Sequence, residues 1–184
     1  MKYNVVKMKI VTTPMCEDVL RLAGVREFIV NLNPDSTDAD IAVVLSETNT
    51  TIKSVKVKLN TFPQIKKSVV MLRDMFETDE VELDLLDKVF PNSQQLENRK
   101  IKVKVYSNFL KEIINDLGFT IVSENQNHDY LVYPDYIRDG LADEIIRMGD
   151  RVVEVPSHKN APKNPIKRAE MRYKLLEKKL CMKP

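Results

Sequence analysis

The sequence predicts an α/β protein of the Rossmann-like class, with mostly parallel sheets, helices on both faces, and two similar β-α-β-β-α halves. Short β-branched segments alternate with stretches of helical periodicity, as strands joined by crossover helices require. Ile41–Leu45 is apolar throughout, which is typical of a strand that is covered on both faces. The order of elements in the first half is repeated in the second, and this repetition predicts the two-lobed plan.

The first half begins with a strand at Ile10–Thr12 and a helix that Thr13 caps, with Pro14 at its first position and Gly24 as its stop. Three more strands are predicted after it, at residues 27–31, 41–45 and 54–60. The last of these alternates strictly, so we expect it at an edge of the sheet.

The first half continues with a helix from Pro63 to Phe76, which Thr61 caps. The acidic stretch Glu77–Asp87 is predicted to form a short helix, and Asn92–Arg99 a polar connector between the lobes. The predicted lobes are therefore residues 1–95 and residues 96–184, the second of which ends in a basic helix.

The second half repeats the plan with few identities. Leu20 corresponds to Ile114 and Gly24 to Gly118 at the same spacing, and Ser107-Asn108 replaces Thr13-Pro14. Asn164 and Pro165 then begin the last helix. Common ancestry of the halves stays open, because parallel sheets impose this pattern on unrelated chains as well.

Composition excludes several classes of protein. The chain of 184 residues is 43% hydrophobic and 30% charged, with a net charge of +2 and only four glycines. It lacks an apolar run of about 18 residues for a membrane span, an N-terminal secretion signal, and the glycine-rich loops that bind nucleotide phosphates. The two cysteines lie far apart in the sequence, which favours reduced thiols and a cytoplasmic location.

Polar residues follow the predicted strands, at the edge where ligands bind in open parallel sheets. We expect a ligand to contact these residues: Thr12, Thr13, Ser46, Thr61, Ser107, Asn108, Ser157, Lys159 and Asn160. The segment Val155–Asn164 has no counterpart in the first half and ends at a helix cap. Such a loop suits a phosphate or carboxylate group, whereas the alternative is a solvated connection that prolines stiffen.

Two residues are candidates for catalysis if the protein is an enzyme, which the sequence leaves undecided. His158 is the candidate acid–base group because the pKa of an imidazole lies near neutrality. Cys16 is the candidate nucleophile because the first turn of a helix lowers the pKa of a thiol, although a small buried core residue is the alternative. His128 is expected at the surface, just before a strand.

The predicted partner is a small anionic metabolite, nucleotide or cofactor precursor, bound in a cleft at the carboxyl ends of the strands. The cofactor is unknown, no local spacing of cysteines and histidines predicts a metal site, and no motif indicates nucleic acid or membrane binding. From Lys159 onward, nine basic residues stand against Glu170 and Glu177. The alternative function is therefore a non-enzymatic subunit or assembly factor that docks to a larger complex through its basic last helix, and a homodimer or another protein is the alternative partner.

Lys9–Leu45, with T-T-P-M-C-E-D-V-L-R-L-A-G-V-R-E-F-I-V and D-A-D-I-A-V-V, resembles one lobe of the metal-chelate class of substrate-binding proteins. The resemblance implies a strand, a small polar turn, a helix ending in Leu-x-x-Gly and a pair of strands. The chain departs from that class in lacking an export signal and the length for a long linking helix. The composition and N-P-I-K-R-A-E-M-R-Y also resemble cytoplasmic proteins of methanogenic archaea, from which no activity is transferred.

Overall fold

Two parallel sheets of four strands form the framework of the protein. The structure is a computed structural model that describes residues 8–78, 92–123 and 125–181. The chain divides into one unit of Met1–Leu86 with Lys163–Pro165, and a second of Asp87–Pro162 with Ile166–Pro184. The boundary at residues 95–96 stays a prediction.

The first sheet has the order β2-β1-β3-β4, and all of its neighbouring strands are parallel. Its strands are β1 (Ile10–Thr12), β2 (Ile29–Val30), β3 (Ile41–Leu45) and β4 (Ser54–Val57). Strand β3 is buried on both faces and β4 lies at an edge, so both sequence predictions are confirmed.

Two helices, α1 (Glu17–Leu22) and α2 (Phe62–Phe76), pack together in the first unit. Helix α2 begins as predicted, because Thr61 and Gln64 form a capping box. The predicted start of α1 is wrong: Cys16, not Thr13, is its N-cap. The Cys16 N–H donates to the Thr13 carbonyl at 2.9 Å, so T-P-M-C forms a tight turn, for which proline at the second position is equally suited.

The second sheet has the order β6-β5-β7-β8, again fully parallel. Its strands are β5 (Lys102–Val105), β6 (Thr120–Ile121), β7 (Tyr130–Pro134) and β8 (Val152–Val155). Both sheets therefore place the first strand between the second and third, which confirms the Rossmann-like fold class and the duplicated topology.

Helices of the second unit include α3 (Asn92–Asn98), α4 (Asn108–Asp116), α5 (Ala142–Met148) and α6 (Pro165–Leu180). Helices α4 and α6 are joined by a hydrogen bond of 2.5 Å from the Tyr173 hydroxyl to Asp116. The other face of the sheet packs Leu131 and Tyr133 against Met148 of α5. The second sheet thus carries helices on both faces.

Three sequence predictions differ from the structure in the second unit. Asn92–Asn98 is a helix rather than a connector, and the Asn98 side chain donates to the Leu117 carbonyl at 2.7 Å. Helix α5 was not predicted. His128 was expected at the surface, but its side chain is only 13% exposed because it lies beside Glu144 of α5.

Two further predictions concern the basic surface of α6 and the acidic stretch Glu77–Asp87. Not all basic side chains of α6 lie at its surface, because Arg168 and Arg172 are buried. The predicted acidic helix at Glu77–Asp87 lies outside the described residues, apart from Glu77 and Thr78, which follow α2. No helix within the described ranges has the length and apolar character that a bilayer crossing requires.

Candidate ligand site at the carboxyl edge of the second sheet

The carboxyl ends of β5, β7 and β8 are followed by Ser107, Asp135 and Ser157, respectively. Because these strands are parallel and adjacent in the order β5-β7-β8, the three residues lie along one edge of the second sheet. Strands are spaced by about 4.8 Å, so β5 and β8 lie about 10 Å apart within the sheet. The structure therefore brings these two predicted site residues to a common edge.

Asp135 organises the loop that follows β8. One of its oxygens accepts the Ser157 N–H at 3.0 Å, and the other accepts the Asn160 side chain at 2.6 Å. Burial acts to raise the pKa of Asp135, but the hydrogen bonds from Asn160 and Ser157 outweigh it and hold that pKa below its ordinary value. The loop thus binds a carboxylate of its own chain close to where the sequence predicts an external anion.

Arg172 of α6 lies beneath this loop with only 1% of its surface exposed. Its Nε and Nη2 both donate to the Pro156 carbonyl, at 3.2 and 3.0 Å, and its guanidinium lies 4.7 Å from the centre of the Phe109 ring. Nη1 is buried and has no hydrogen-bond partner among the residues that the structure describes. A second buried arginine, Arg168, donates to the Pro162 carbonyl at 3.0 Å.

The charge of Arg172 is only partly compensated. Burial, and after it the nearby charge of Arg168, lower the pKa of Arg172 to about 10, while Asp135 acts in the opposite direction. The guanidinium remains protonated near neutral pH. A buried cation with one unmatched N–H group is a favourable partner for an anion.

His158 and Lys159 occupy a short 3-10 helix, His158–Asn160, and both are exposed. Ser107 is the N-cap of α4, where its hydroxyl accepts the Leu110 N–H at 3.3 Å, and Asn108 is exposed in the first turn. Of the predicted residues in this unit, His158, Lys159, Asn160 and Asn108 are therefore exposed, and Ser107 and Asn160 form hydrogen bonds within the protein.

The predicted residues of the first unit lie at the carboxyl edge of the first sheet. Thr12 is fully buried, and its hydroxyl donates to the Val43 carbonyl at 2.7 Å. Thr13 lies in the turn before α1. Cys16 is 0% exposed, as is Leu110, its counterpart in the second half. This placement favours the core alternative for Cys16, whose role as a nucleophile stays a prediction.

Ser46 and Thr61 follow β3 and β4. The Ser46 hydroxyl donates to the carboxylate of Glu47 at 2.8 Å, and the Thr61 hydroxyl accepts the Gln64 N–H at 3.3 Å. Their polar groups therefore serve local structure in the first unit. Whether Thr13, Ser107 and Ser157 share one rim stays a prediction.

Sequence reasoning missed the buried arginines. Arg172 lies three residues after Ala169 and four before Leu176, which is the spacing of the apolar stripe itself. This spacing indicates that Arg172 lies on the buried face of the helix, and it is the feature of the sequence from which its burial could have been predicted. It could not show which carbonyls the guanidinium reaches, because they belong to a loop folded over the helix.

Comparison with known proteins identifies a shared fold. No family model and no curated protein sequence matches the chain. The zinc-bound ZnuA-like domain of Streptococcus pneumoniae AdcA matches with a TM-score of 0.58 and 14% identity, over 95% of this chain and 99% of that one. The fold resembles that of ZnuA-like proteins.

Two further solved structures are similar to this chain in fold. The metal-dependent lipoprotein YcdH from Bacillus subtilis gives a TM-score of 0.55 at 13% identity, and the periplasmic zinc-binding protein TroA from Treponema pallidum gives 0.53 at 10%. Each match covers 95% of this chain and 99% of the other. At these identities the likeness establishes the fold. It confirms the resemblance in fold to metal-chelate-type binding proteins, whereas the resemblance to archaeal proteins stays a prediction.

Proposed function

We propose that the protein binds a small anionic ligand at the carboxyl edge of the second sheet. The ligand lies between the first turn of α4 and the loop Ser157–Asn160, where Arg172 and Lys159 supply positive charge and His158 supplies a hydrogen-bonding group. A metabolite carrying a phosphate or carboxylate group fits this chemistry. A cytoplasmic location is part of the same proposal.

The burial of Arg172 carries the proposal. A guanidinium that is 1% exposed is costly unless its donors are matched, and Nη1 lacks a partner within the described chain. Its position against Phe109 places the charge at the start of α4, where backbone N–H groups also favour anions. Because Nη1 is itself buried, the charge of Arg172 would attract an oxyanion at this edge from beneath the loop.

Zinc is the ligand that the names of the similar structures suggest. Zinc requires about four donors, drawn mainly from cysteine, histidine and carboxylate side chains. Within residues 8–78, 92–123 and 125–181, no three such side chains lie close enough to hold an ion. The described donors therefore do not fit a zinc site, and we include zinc as a competing ligand in the test.

A thermal-shift screen tests the proposal, with inorganic phosphate, citrate, nucleoside monophosphates and zinc chloride as ligands at constant ionic strength. A ligand present at one hundred times its Kd stabilises by about 2.7 kcal/mol, which raises the Tm of a protein of this size by about 5–10 °C. We expect at least one organic anion to give such a shift. The double substitution His158→Ala, Lys159→Ala should remove most of it.

Lys174→Ala, Lys178→Ala is the matched control, because both lysines are exposed on α6 and neither belongs to the loop. This control should keep the full ligand-induced shift. An undiminished shift in the His158→Ala, Lys159→Ala protein would count against the site. A shift with zinc and with none of the anions would replace the proposal with metal binding.

A further inference from the structure

A buried ion pair lies on the face of the second sheet that α5 covers. Lys104 of β5 has a side chain that is 11% exposed, and its Nζ lies 2.8 Å from an oxygen of Glu144, which is equally buried. The Tyr106 hydroxyl donates to the other oxygen of Glu144 at 2.7 Å. Burying such a pair offers little net stability relative to apolar packing, so its presence calls for another explanation.

Two more groups surround the Glu144 carboxylate. Arg147 Nη2 lies 3.6 Å from it, and His128 Nε2 lies 4.0 Å from it. This Nε2 atom is buried without a hydrogen-bond partner among the described residues, which is uncommon in folded proteins. We call Lys104, Tyr106, His128, Glu144 and Arg147 the Glu144 cluster. Two permanent cations and one carboxylate leave it with a net positive charge.

A pocket of about 540 Å³ adjoins the cluster, between the carboxyl ends of β5 and β6 and the side of α4. Lys104 and Tyr106 belong both to its wall and to the cluster, and Lys111, Asn115 and Ser123 add polar groups. Its volume lies in the range of small-molecule pockets, about 300–1,000 Å³. The charged residues of its lining are lysines, and Val122 and Ile121 supply an apolar wall.

We propose that this pocket binds a small amphipathic organic anion. Its oxyanion head group contacts Lys111, with Lys104 in the adjoining wall, and its apolar body lies against Val122 and Ile121. The Lys104 ammonium is held by Glu144 and lies beside Tyr106, so it adds positive charge to the wall of the pocket. The pocket flanks β6 whereas the Ser157–Asn160 loop follows β8, at the opposite end of the strand order, so this site is independent of the function proposed above.

Titration of the 15N-labelled protein with phenyl phosphate, followed by NMR, tests the pocket. Saturable shifts are expected at the backbone amides of Lys111, Val122 and Ser123. Inorganic phosphate, which has the head group alone, and benzyl alcohol, which has the body alone, should each bind at least about tenfold more weakly. Absence of saturable shifts at these amides, or equal affinity for inorganic phosphate, would overturn the inference.

Substitutions make the test specific. Lys111 is exposed, so Lys111→Ala should fold normally and weaken phenyl phosphate binding by about threefold or more. Lys104→Met with Glu144→Gln removes both charges of the pair and should weaken binding at least about tenfold. Lys102→Met, an exposed position on the same strand, is the control and should bind as the wild type.

Wild-type affinity in both the Lys111 and the Lys104/Glu144 variants would also overturn the inference. The His158→Ala, Lys159→Ala protein separates this site from the other one. If it retains the shifts at Lys111, Val122 and Ser123 while losing stabilisation by the screened anions, both sites exist. If it loses the shifts at those three amides as well, phenyl phosphate binds at the β8 loop and the separate pocket is refuted.

Discussion

Asp135 shows how one side chain at the carboxyl edge combines structural and electrostatic roles. Its two oxygens accept hydrogen bonds from the Ser157 backbone and the Asn160 side chain, and so fix the start of the loop. Its negative charge also partly compensates the buried charge of Arg172. Under the proposed function, an anion would meet a loop that is already ordered, and less binding energy would be lost in ordering it.

Asp135→Asn should destabilise the protein at pH 7 by about 1 kcal/mol, because one carboxylate oxygen is replaced by an amide that cannot accept a hydrogen bond. A carboxyl whose pKa is lowered by folding stabilises the folded state above its unfolded pKa of about 3.9 and stops doing so as the pH falls through its folded pKa. The difference between wild type and variant should thus shrink from pH 7 to pH 3 in urea unfolding.

Asp139→Asn, an exposed position in the same 3-10 segment, is the control and should stay within about 0.5 kcal/mol of the wild type at pH 7. A constant difference between Asp135→Asn and wild type over the whole pH range would contradict the assigned role of Asp135.

Residues whose role depends on the neighbouring sequence were predictable. Thr61 was correctly predicted to cap its helix, because capping depends on a few consecutive residues. The burial of Arg172 and His128 was not predicted. Both depend on segments distant in sequence: the Pro156 carbonyl lies over Arg172, and Glu144 of α5 lies beside His128.

Gly118 illustrates an element boundary that the sequence predicts for a physical reason. It follows α4 with a φ of +84°, a conformation that side chains with a Cβ adopt at a cost. A Cβ at this position would also lie 3.1 Å from the Gln95 Cβ of α3. The glycine therefore ends one helix and lets a second helix approach closely.

Gly118→Ala should destabilise the protein by about 1–3 kcal/mol and lower its Tm by several degrees. Gly140→Ala is the matched control, because nothing lies within 4 Å of its Cβ position and its φ is not in the left-handed region. That control should have a Tm equal to or slightly above the wild type. Equal Tm values for the two variants would show that α3 and α4 do not pack as described.

Elements with a strong intrinsic pattern were predicted, and elements defined by tertiary packing were not. The all-apolar β3 and the capped α2 were found as expected. The composition of N-S-Q-Q-L-E-N predicts a connector, but the segment is helix α3 because Asn98 and Gln95 pack on the end of α4. The start of α1 was misplaced because T-T-P-M suits a turn as well as a helix N-terminus.

At the scale of the whole molecule, the duplicated topology places polar residues at the carboxyl edge of each sheet. The two units then diverge at the connection between the third and fourth strands, where the second has the segment Asp135–Leu141 and α5 and the first has a short loop. This added segment supplies Asp135 to one candidate site and Glu144 to the other. The two candidate sites of the second unit therefore depend on this added segment and, for the first of them, on the loop Val155–Asn164 as well.

A crystal structure with the anion that gives the largest thermal shift tests the central claim most directly. We predict density for the anion at the carboxyl edge of the second sheet, within hydrogen-bond distance of the Ser157–Asn160 loop. Density at a cluster of histidine, cysteine and carboxylate side chains, or an empty edge with the anion bound elsewhere, would contradict the account.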